Sequence, residues 1–214
     1  MGLNISSYSA SLFSTPSVME VQYALAKIFH RERWMEDMQE RIANTRLVDL
    51  RIPGTHQSGS FSCNFHSAMC QNCDIAQQLH RGVRYLDLRV GFHFRFHSGE
   101  GRVGHGKMSW GTYFEDVIED VQKFVKDHPK EFLILQIGKS GDLDESHKTY
   151  MRERIIELLK EWMVTSEDGF DLKTVTMKDL WQKNKRVWVF FSHELDILNV
   201  FSAGGEWQDF NKAM

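Results

Sequence analysis

The sequence is poor in proline and cysteine, and it has no long apolar run. Only three of its 214 residues are proline and three are cysteine. We therefore expect neither an internal proline-rich linker nor a framework of paired disulfides. No stretch approaches the roughly 18 consecutive apolar residues of a membrane-spanning helix, so we expect no bilayer-crossing segment. The first residues show no basic segment followed by an apolar one, and we expect no secretory signal peptide.

An excess of positive charge is also missing. Lys and Arg number 26 against 29 Asp and Glu, and the formal net charge is -3. Proteins that bind nucleic acid through phosphates need a basic surface, so this balance predicts no nucleic-acid partner. With 42% hydrophobic residues, the composition is that of a globular protein with one sizeable core.

The three cysteines lie close together, at positions 63, 70 and 73. Cys70 and Cys73 form a C-x-x-C pair, but no second pair and no suitably spaced histidines complete a zinc site. An odd number of cysteines without a signal peptide fits a reducing compartment, so we expect a cytoplasmic protein.

The first six residues, MGLNIS, match the pattern M-G-x-x-x-[ST] of N-myristoylated proteins. Gly2 would carry the acyl chain after removal of the methionine. One acyl chain gives weak and reversible membrane binding, which would suit an enzyme that acts on a lipid. The pattern therefore predicts a protein associated peripherally with a membrane surface.

Short apolar runs and amphipathic segments alternate along the chain. Residues 1–17 are polar and rich in serine and predict a flexible arm, and residues 18–46 show helical spacing. Further helical patterns alternate with short apolar runs. These runs are too short for helices and are typical of buried strands. This alternation predicts an α/β fold with a parallel sheet or barrel. Strands are predicted at 47–52, 83–90, 131–138 and 186–192, with a shorter one at 103–105, and helices at 75–82, 112–128 and 145–163.

The strand 83–90, VRYLDLRV, carries two charged residues on one face. Side chains alternate along a strand, so Asp87 and Arg89 point the same way, near its carboxyl end. Parallel α/β folds build their ligand sites at that end. The pair could also be a purely structural ion pair, and the strand alone leaves both interpretations open.

Two histidines, His56 in IPGTHQSGSF and His105 in VGHG, are flanked by glycine-containing turns. Glycine lets the backbone and a ligand approach closely. Two imidazoles can act as base and acid in a displacement at phosphorus, and Arg89 can hold a phosphate bidentately. The chain has ten histidines, so two of them at turns could also be a coincidence.

Three blocks in this order, IPGTHQSGSF, QQLHRGVRYLDLRV and VGHG, resemble the X domain of phosphatidylinositol-specific phospholipases C. The similarity runs from about residue 44 to about 140, and more loosely to about 193. The block CQN…IAQQL…GVRYLDLR is particularly similar to the glycosylphosphatidylinositol-specific enzyme of trypanosomes. The resemblance implies an irregular TIM-type barrel whose active site lies at the carboxyl ends of the strands.

The resemblance also implies a role for each candidate residue. His56 would deprotonate the inositol 2-hydroxyl, which attacks the phosphorus, and His105 would protonate the departing diacylglycerol oxygen. Arg89 would hold the phosphate, and Asp87 would orient the basic groups around it. The substrate would be phosphatidylinositol or a glycosylphosphatidylinositol, and the products diacylglycerol and inositol 1,2-cyclic phosphate.

The strand 83–90 also indicates whether the enzyme needs a metal ion. Calcium-dependent animal members of the family carry carboxylates at the positions of Asp87 and Arg89, and a glutamate where this chain has Gly138. A guanidinium cannot ligate calcium, which takes about six to eight oxygen ligands. The resemblance therefore implies a metal-independent enzyme with no cofactor.

Some positions depart from the family pattern. Gln57 stands where the bacterial enzymes carry an aspartate that sharpens the second histidine, whereas the trypanosome type also has an amide there. Lys139 is at best a shifted substitute for a basic residue that contacts inositol, and Phe190 stands near another such position. Gln71 is expected to line the pocket, although a role at a helix start is equally open. We predict substrate contacts for Gln57, Gln71 and Lys139.

Length is the largest departure, because a TIM barrel typically takes about 250 residues and eight strand–helix units. Five strands are predicted, so we expect a barrel that is incomplete at its C-terminus and that a partner chain could close. One alternative is a catalytically weak X-domain fragment that binds inositol lipid or a protein. Another is a metal-dependent glycerophosphodiester phosphodiesterase, which would need carboxylates near His56.

Overall fold

The computed structural model describes residues 30–63, 66–91, 101–105, 111–140, 143–171 and 173–191. The strands are Gly54–Thr55 (β1), Tyr85–Gly91 (β2), Arg102–Val103 (β3), Leu133–Lys139 (β4) and Val187–Phe191 (β5). The α-helices are Trp34–Asp37 (α1), Gln39–Ile42 (α2), Ile75–His80 (α3), Phe114–Asp127 (α4), Glu145–Leu159 (α5) and Met177–Gln182 (α6). Short 3₁₀ helices occupy Arg31–Arg33, Leu47–Asp49, His66–Ala68 and Ser166–Asp168.

These strands form one sheet in the order β1-β2-β4-β5 with all four parallel, while β3 pairs antiparallel with β2. The register places Asp87 beside Gln136 and Arg89 beside Gly138. The predicted α/β class is confirmed. Within the described part of the chain β1 and β5 do not pair with each other, so the sheet is open, which fits an incomplete barrel.

The two faces of the sheet are covered differently. On one face, alternate residues of the strands pack against the apolar sides of α3, α4 and α5. On the other face, Ile134 and Trp188 are buried under residues such as Met35, Leu47 and Met177. This second face becomes polar toward the carboxyl ends of the strands, where side chains can meet a ligand.

The predicted strand at 47–52 is wrong. Leu47–Asp49 is a 3₁₀ helix, and Leu47 is buried beneath the sheet, with its amide donating to the Val175 carbonyl at 2.9 Å. The apolar run therefore fills the core without joining the sheet, and pairing starts only at Gly54. The short strand predicted at 103–105 lies at Arg102–Val103 and runs antiparallel to β2.

The helices at 75–82, 112–128 and 145–163 are confirmed as α3, α4 and α5 with shorter bounds. Gly82 follows α3 with φ +102°, the left-handed geometry that suits glycine after a helix. The predicted helical region 18–46 is described only from residue 30, where it breaks into short pieces; the arm 1–17 lies outside the described residues. No helix in the described ranges is long and apolar enough to span a membrane.

A fully buried ion pair joins β2 to β4 near the start of the sheet. Arg84 Nε donates to Glu131 Oε2 at 2.7 Å, and both side chains are 0% exposed. Arg84 also donates to the Glu32 carbonyl at 2.7 Å, while Glu131 accepts the Glu36 amide at 3.0 Å. Burial raises the pKa of Glu131, although the Arg84 charge and hydrogen bonds to Glu131 oppose that shift. The pair thus ties the N-terminal helical segment to the sheet.

Removing one partner of this pair should destabilise the fold strongly. In Glu131→Ala the Arg84 guanidinium stays buried without its carboxylate, which costs about 3–5 kcal/mol of unfolding free energy. Urea unfolding followed by circular dichroism measures the change. Asp49→Asn, in the exposed Arg46–Asp49 pair, is the matched control and should unfold like the parent. Equal effects of the two substitutions would contradict this role of the buried pair.

Candidate active site

Three charged or titratable side chains meet at the carboxyl ends of β1 and β2. His56 Nδ1 lies 3.0 Å from Asp87 Oδ2, and Arg89 Nε lies 2.7 Å from Asp87 Oδ1. The Asp87 side chain is 7% exposed, whereas that of His56 is 69% exposed. A buried carboxylate therefore holds an exposed imidazole and a partly exposed guanidinium side by side, as strand alternation predicted for Asp87 and Arg89.

The turn after β1 presents His56. Gln57 has φ +47°, and its amide donates to Asp87 Oδ2 at 3.2 Å. The Ser58 amide donates to the Asp87 carbonyl at 2.7 Å, so the turn folds back onto β2 immediately after His56. Asp87 thus fixes the turn through its backbone and its carboxylate.

The contact with Asp87 also selects the form of the His56 ring. A proton on Nδ1 faces the Asp87 carboxylate at 3.0 Å, so this contact favours the neutral form whose basic lone pair is on Nε2. His56 is therefore equipped to act as a general base.

Arg89 lies across the neighbouring strand at Gly138. A Cβ atom on Gly138 would stand 2.7 Å from Arg89 Nη1 and 3.0 Å from its Cδ. The guanidinium therefore occupies the space that any side chain at this position would need. Gly138, noted in the sequence for its missing carboxylate, gives Arg89 room to reach Asp87.

Gly138→Ala should displace Arg89 from Asp87 with little loss of stability. The added methyl group meets the flexible end of Arg89, which moves aside and loses its position beside Asp87. Losing one charge-assisted hydrogen bond is worth about 1.4 kcal/mol, or roughly tenfold in kcat/KM. Kinetics on phosphatidylinositol, the substrate that the resemblance implies, together with thermal unfolding, measure both effects. An unchanged kcat/KM would show that Arg89 does not need this position.

The strand β3 leads to His105. The Gly104 amide donates to the Arg89 carbonyl at 3.0 Å, and half-buried His105 follows directly. The turn that carries His56 also packs closely against β3, because a Cβ on Gly59 would stand 2.2 Å from Val103 Cγ1. The backbone therefore brings the second predicted histidine next to β2 at its carboxyl end.

Of the three residues predicted to contact substrate, two lie next to His56 and one lies on the other side of the sheet. Gln71 Nε2 donates to the His56 carbonyl at 2.7 Å, and Gln57 Oε1 accepts a hydrogen bond from Cys70 Sγ at 3.0 Å. Both amides therefore surround His56 and bond to the protein. Lys139 is exposed and takes the strand position after Gly138, on the opposite side of the sheet from Arg89. A substrate contact by any of the three stays a prediction.

Sequence reasoning missed a polar pair on the same face of the sheet as Asp87. The Tyr85 hydroxyl donates to Gln136 Oε1, and the Phe190 ring lies 6.3 Å from the Tyr85 ring. Burial and, to a lesser extent, the Asp87 charge raise the pKa of Tyr85, while Arg89 opposes the shift. The phenol therefore stays neutral below its raised pKa and remains a donor. Its strand position, two residues before Asp87, was the available signal.

The residues around Asp87 do not fit a calcium ion. Calcium takes about six to eight oxygen ligands, and here one carboxylate is already engaged by an imidazole and a guanidinium. Within the described ranges no group of three or more His, Cys, Asp or Glu side chains could hold a metal. Positive charge at this site comes from Arg89.

Comparison with known families identifies the family of this chain. The family model described as "Phosphatidylinositol-specific phospholipase C, X domain" matches residues 50–190. The chain belongs to this family. The matched range contains His56, Asp87, Arg89 and His105, so the resemblance seen in the sequence is confirmed for the X domain.

The match to each curated relative covers only part of that relative's length. Human PI-PLC X domain-containing protein 2 is 25% identical over 184 residues, covering 74% of this chain and 59% of that protein. The 1-phosphatidylinositol phosphodiesterase of Listeria monocytogenes is 26% identical over 156 residues, covering 70% and 46%. The chain thus spans about half the length of the curated relatives it matches.

Solved structures support the fold of the X domain. The phosphatidylinositol-specific phospholipase C of Staphylococcus aureus matches with a TM-score of 0.59 at 22% identity, covering 76% of this chain and 53% of that one. The Listeria monocytogenes enzyme matches at 0.58 and 23%, covering 76% and 57%. The open parallel sheet therefore corresponds to part of a TIM-type barrel, as predicted.

Proposed function

We propose that this X domain cleaves phosphatidylinositol at the phosphodiester bond to diacylglycerol, releasing inositol 1,2-cyclic phosphate. The observation that carries the proposal is the grouping of His56, Asp87 and Arg89 at the carboxyl ends of parallel strands. It supplies a base, a carboxylate that orients the base, and a cation for a phosphate. Membership of the family supports the substrate class.

The reaction is an attack of one substrate oxygen on its own phosphorus. His56 Nε2 takes the proton of the inositol 2-hydroxyl, whose oxygen forms a bond to phosphorus. The bond from phosphorus to the diacylglycerol oxygen breaks, and His105 donates a proton to that oxygen. Arg89 binds the non-bridging phosphate oxygens and offsets their growing charge, while Asp87 stabilises the protonated His56.

Several finer features belong to the same proposal. Because Arg89 supplies the positive charge, the reaction proceeds without a metal ion. Similarity of the CQN block to the trypanosome enzyme supports acceptance of a glycosylphosphatidylinositol as well. We place the protein at the cytoplasmic side of a membrane, held peripherally by an acyl chain on Gly2, which lies outside the described residues. The open sheet supports a partner chain that completes the barrel.

A panel of lipids in mixed micelles tests the proposed function. With excess chelator, the chain should release water-soluble phosphate ester from phosphatidylinositol and not from phosphatidylcholine. A glycosylphosphatidylinositol arm tests the second substrate, and an arm with added calcium tests the metal. Turnover of glycerophosphocholine that depends on a divalent metal would favour the glycerophosphodiester phosphodiesterase instead.

A second candidate is a catalytically weak X domain that binds inositol lipid or a protein partner. It is favoured by the neutral Gln57, which stands beside His56 where the bacterial enzymes carry an aspartate. Folded protein that binds phosphatidylinositol vesicles without cleaving the lipid would support this candidate and contradict the enzyme.

A further inference from the structure

A buried amide on α3 contacts the turn that carries His56. Gln78 is 3% exposed and lies on the apolar side of the helix, next to Ile75 and Leu79 in the core. A polar side chain buried on an apolar helix face needs hydrogen-bond partners, since leaving its amide unsatisfied destabilises the fold. The pattern IAQQLH contains this signal, which sequence analysis left unused.

Gln78 finds these partners in the turn itself. Its Oε1 accepts the Thr55 hydroxyl at 2.7 Å, and its Nε2 donates to the Ser58 carbonyl at 2.8 Å. The second Nε2 hydrogen goes to the Cys73 carbonyl at 2.7 Å. The Gln78 amide thus bonds to Thr55, immediately before His56, and to Ser58, two residues after it.

The other side of the turn is attached to β2. The Ser58 amide donates to the Asp87 carbonyl at 2.7 Å, and Ser58 is 0% exposed. Thr55 and Ser58 are therefore held from the helix and from the strand, while His56 projects into solvent between them. Its ring reaches Asp87 Oδ2 at 3.0 Å from this fixed base.

We propose that Gln78 is a positioning residue that keeps His56 Nδ1 against Asp87 by anchoring the turn on both sides of the histidine. The inference rests on the proposed function, because it assumes that His56 is the general base. Gln78 acts only through its hydrogen bonds to the turn and touches no reacting atom. Its removal should therefore slow the chemical step without weakening substrate binding.

Gln78→Met is the main variant, because it keeps the side-chain length and removes all three hydrogen bonds. A displacement of about 1 Å at a reacting group costs up to about 10²-fold in rate. We expect kcat on phosphatidylinositol to fall about 10- to 100-fold, with KM within about threefold of the parent. Gln77→Met makes the same change on the exposed neighbouring position of α3 and should leave both constants unchanged.

Nitrogen NMR of the His56 ring gives a second readout that needs no turnover. The parent should show the neutral ring protonated mainly at Nδ1, the form that the Asp87 contact favours. Gln78→Met should show a mixture of the two neutral forms, because the ring no longer stays against the carboxylate. Gln77→Met should match the parent.

These readouts separate the positioning role from the proposed function. If the parent cleaves no lipid, the proposed function fails, and the ring spectrum alone decides whether Gln78 positions His56. Unchanged kcat and an unchanged spectrum in folded Gln78→Met would overturn the proposal, as would a rise in KM alone. If that variant does not fold, Thr55→Val removes one of the three hydrogen bonds. It should then lower kcat about 3- to 10-fold with a partly mixed spectrum, and parent-like values would overturn the proposal.

Discussion

His56→Ala should reduce the release of inositol cyclic phosphate by about 10³- to 10⁴-fold, the upper range for loss of a positioned general base. Without the imidazole no group accepts the proton of the 2-hydroxyl while its oxygen attacks phosphorus. The side chain is 69% exposed, so its removal should leave the fold intact. Initial rates on phosphatidylinositol micelles in excess chelator measure the effect.

The matched control is His80→Ala, a histidine at the end of α3 and outside the site. It should retain the parent rate, which excludes a general effect of losing an imidazole. Added free imidazole should restore part of the activity of His56→Ala, because it can enter the vacated space as a base. A loss of less than tenfold in His56→Ala would remove the histidine from the mechanism.

Asp87→Asn should lower kcat by about 10³-fold. The asparagine amide is neutral and has one oxygen, so it cannot face both His56 Nδ1 and Arg89 Nε with a charged oxygen as the carboxylate does. It can also present its NH₂ group to Nδ1, which favours the ring form with the proton on Nε2 and no base facing the substrate. In a serine protease the corresponding change costs about 10⁴-fold, which sets the scale.

The control for this variant is Asp116→Asn on the exposed side of α4, which should be indistinguishable from the parent. Thermal unfolding should show both variants folded. If Asp87→Asn retains more than a tenth of the parent kcat, the Asp87 carboxylate serves the fold and not the chemistry.

The part of the site that lies on one strand could be predicted from the sequence. Asp87 and Arg89 share a face because strand side chains alternate, and the structure shows them in contact. That His56 joins them depends on how the turn after β1 folds onto β2, and residues distant in sequence fix this through hydrogen bonds. Only resemblance to the family indicated this meeting beforehand.

The errors in the fold prediction have a common physical cause. An apolar run such as 47–52 is compatible both with a strand in the sheet and with a segment packed beneath the sheet, because both structures bury the same side chains. Leu47 packs beneath the sheet. Likewise, the helical spacing in 18–46 does not decide between one helix and two, and the part described from residue 30 contains two, α1 and α2, with four residues each.

The first product formed from phosphatidylinositol tests the central claim most directly. Phosphorus NMR should follow the reaction in detergent micelles with excess chelator. The account predicts that the first new signal is that of a five-membered cyclic phosphodiester, because His56 activates the inositol 2-hydroxyl and no metal takes part. Appearance of inositol 1-phosphate without a preceding cyclic signal, or a reaction that starts only when calcium is added, would contradict it.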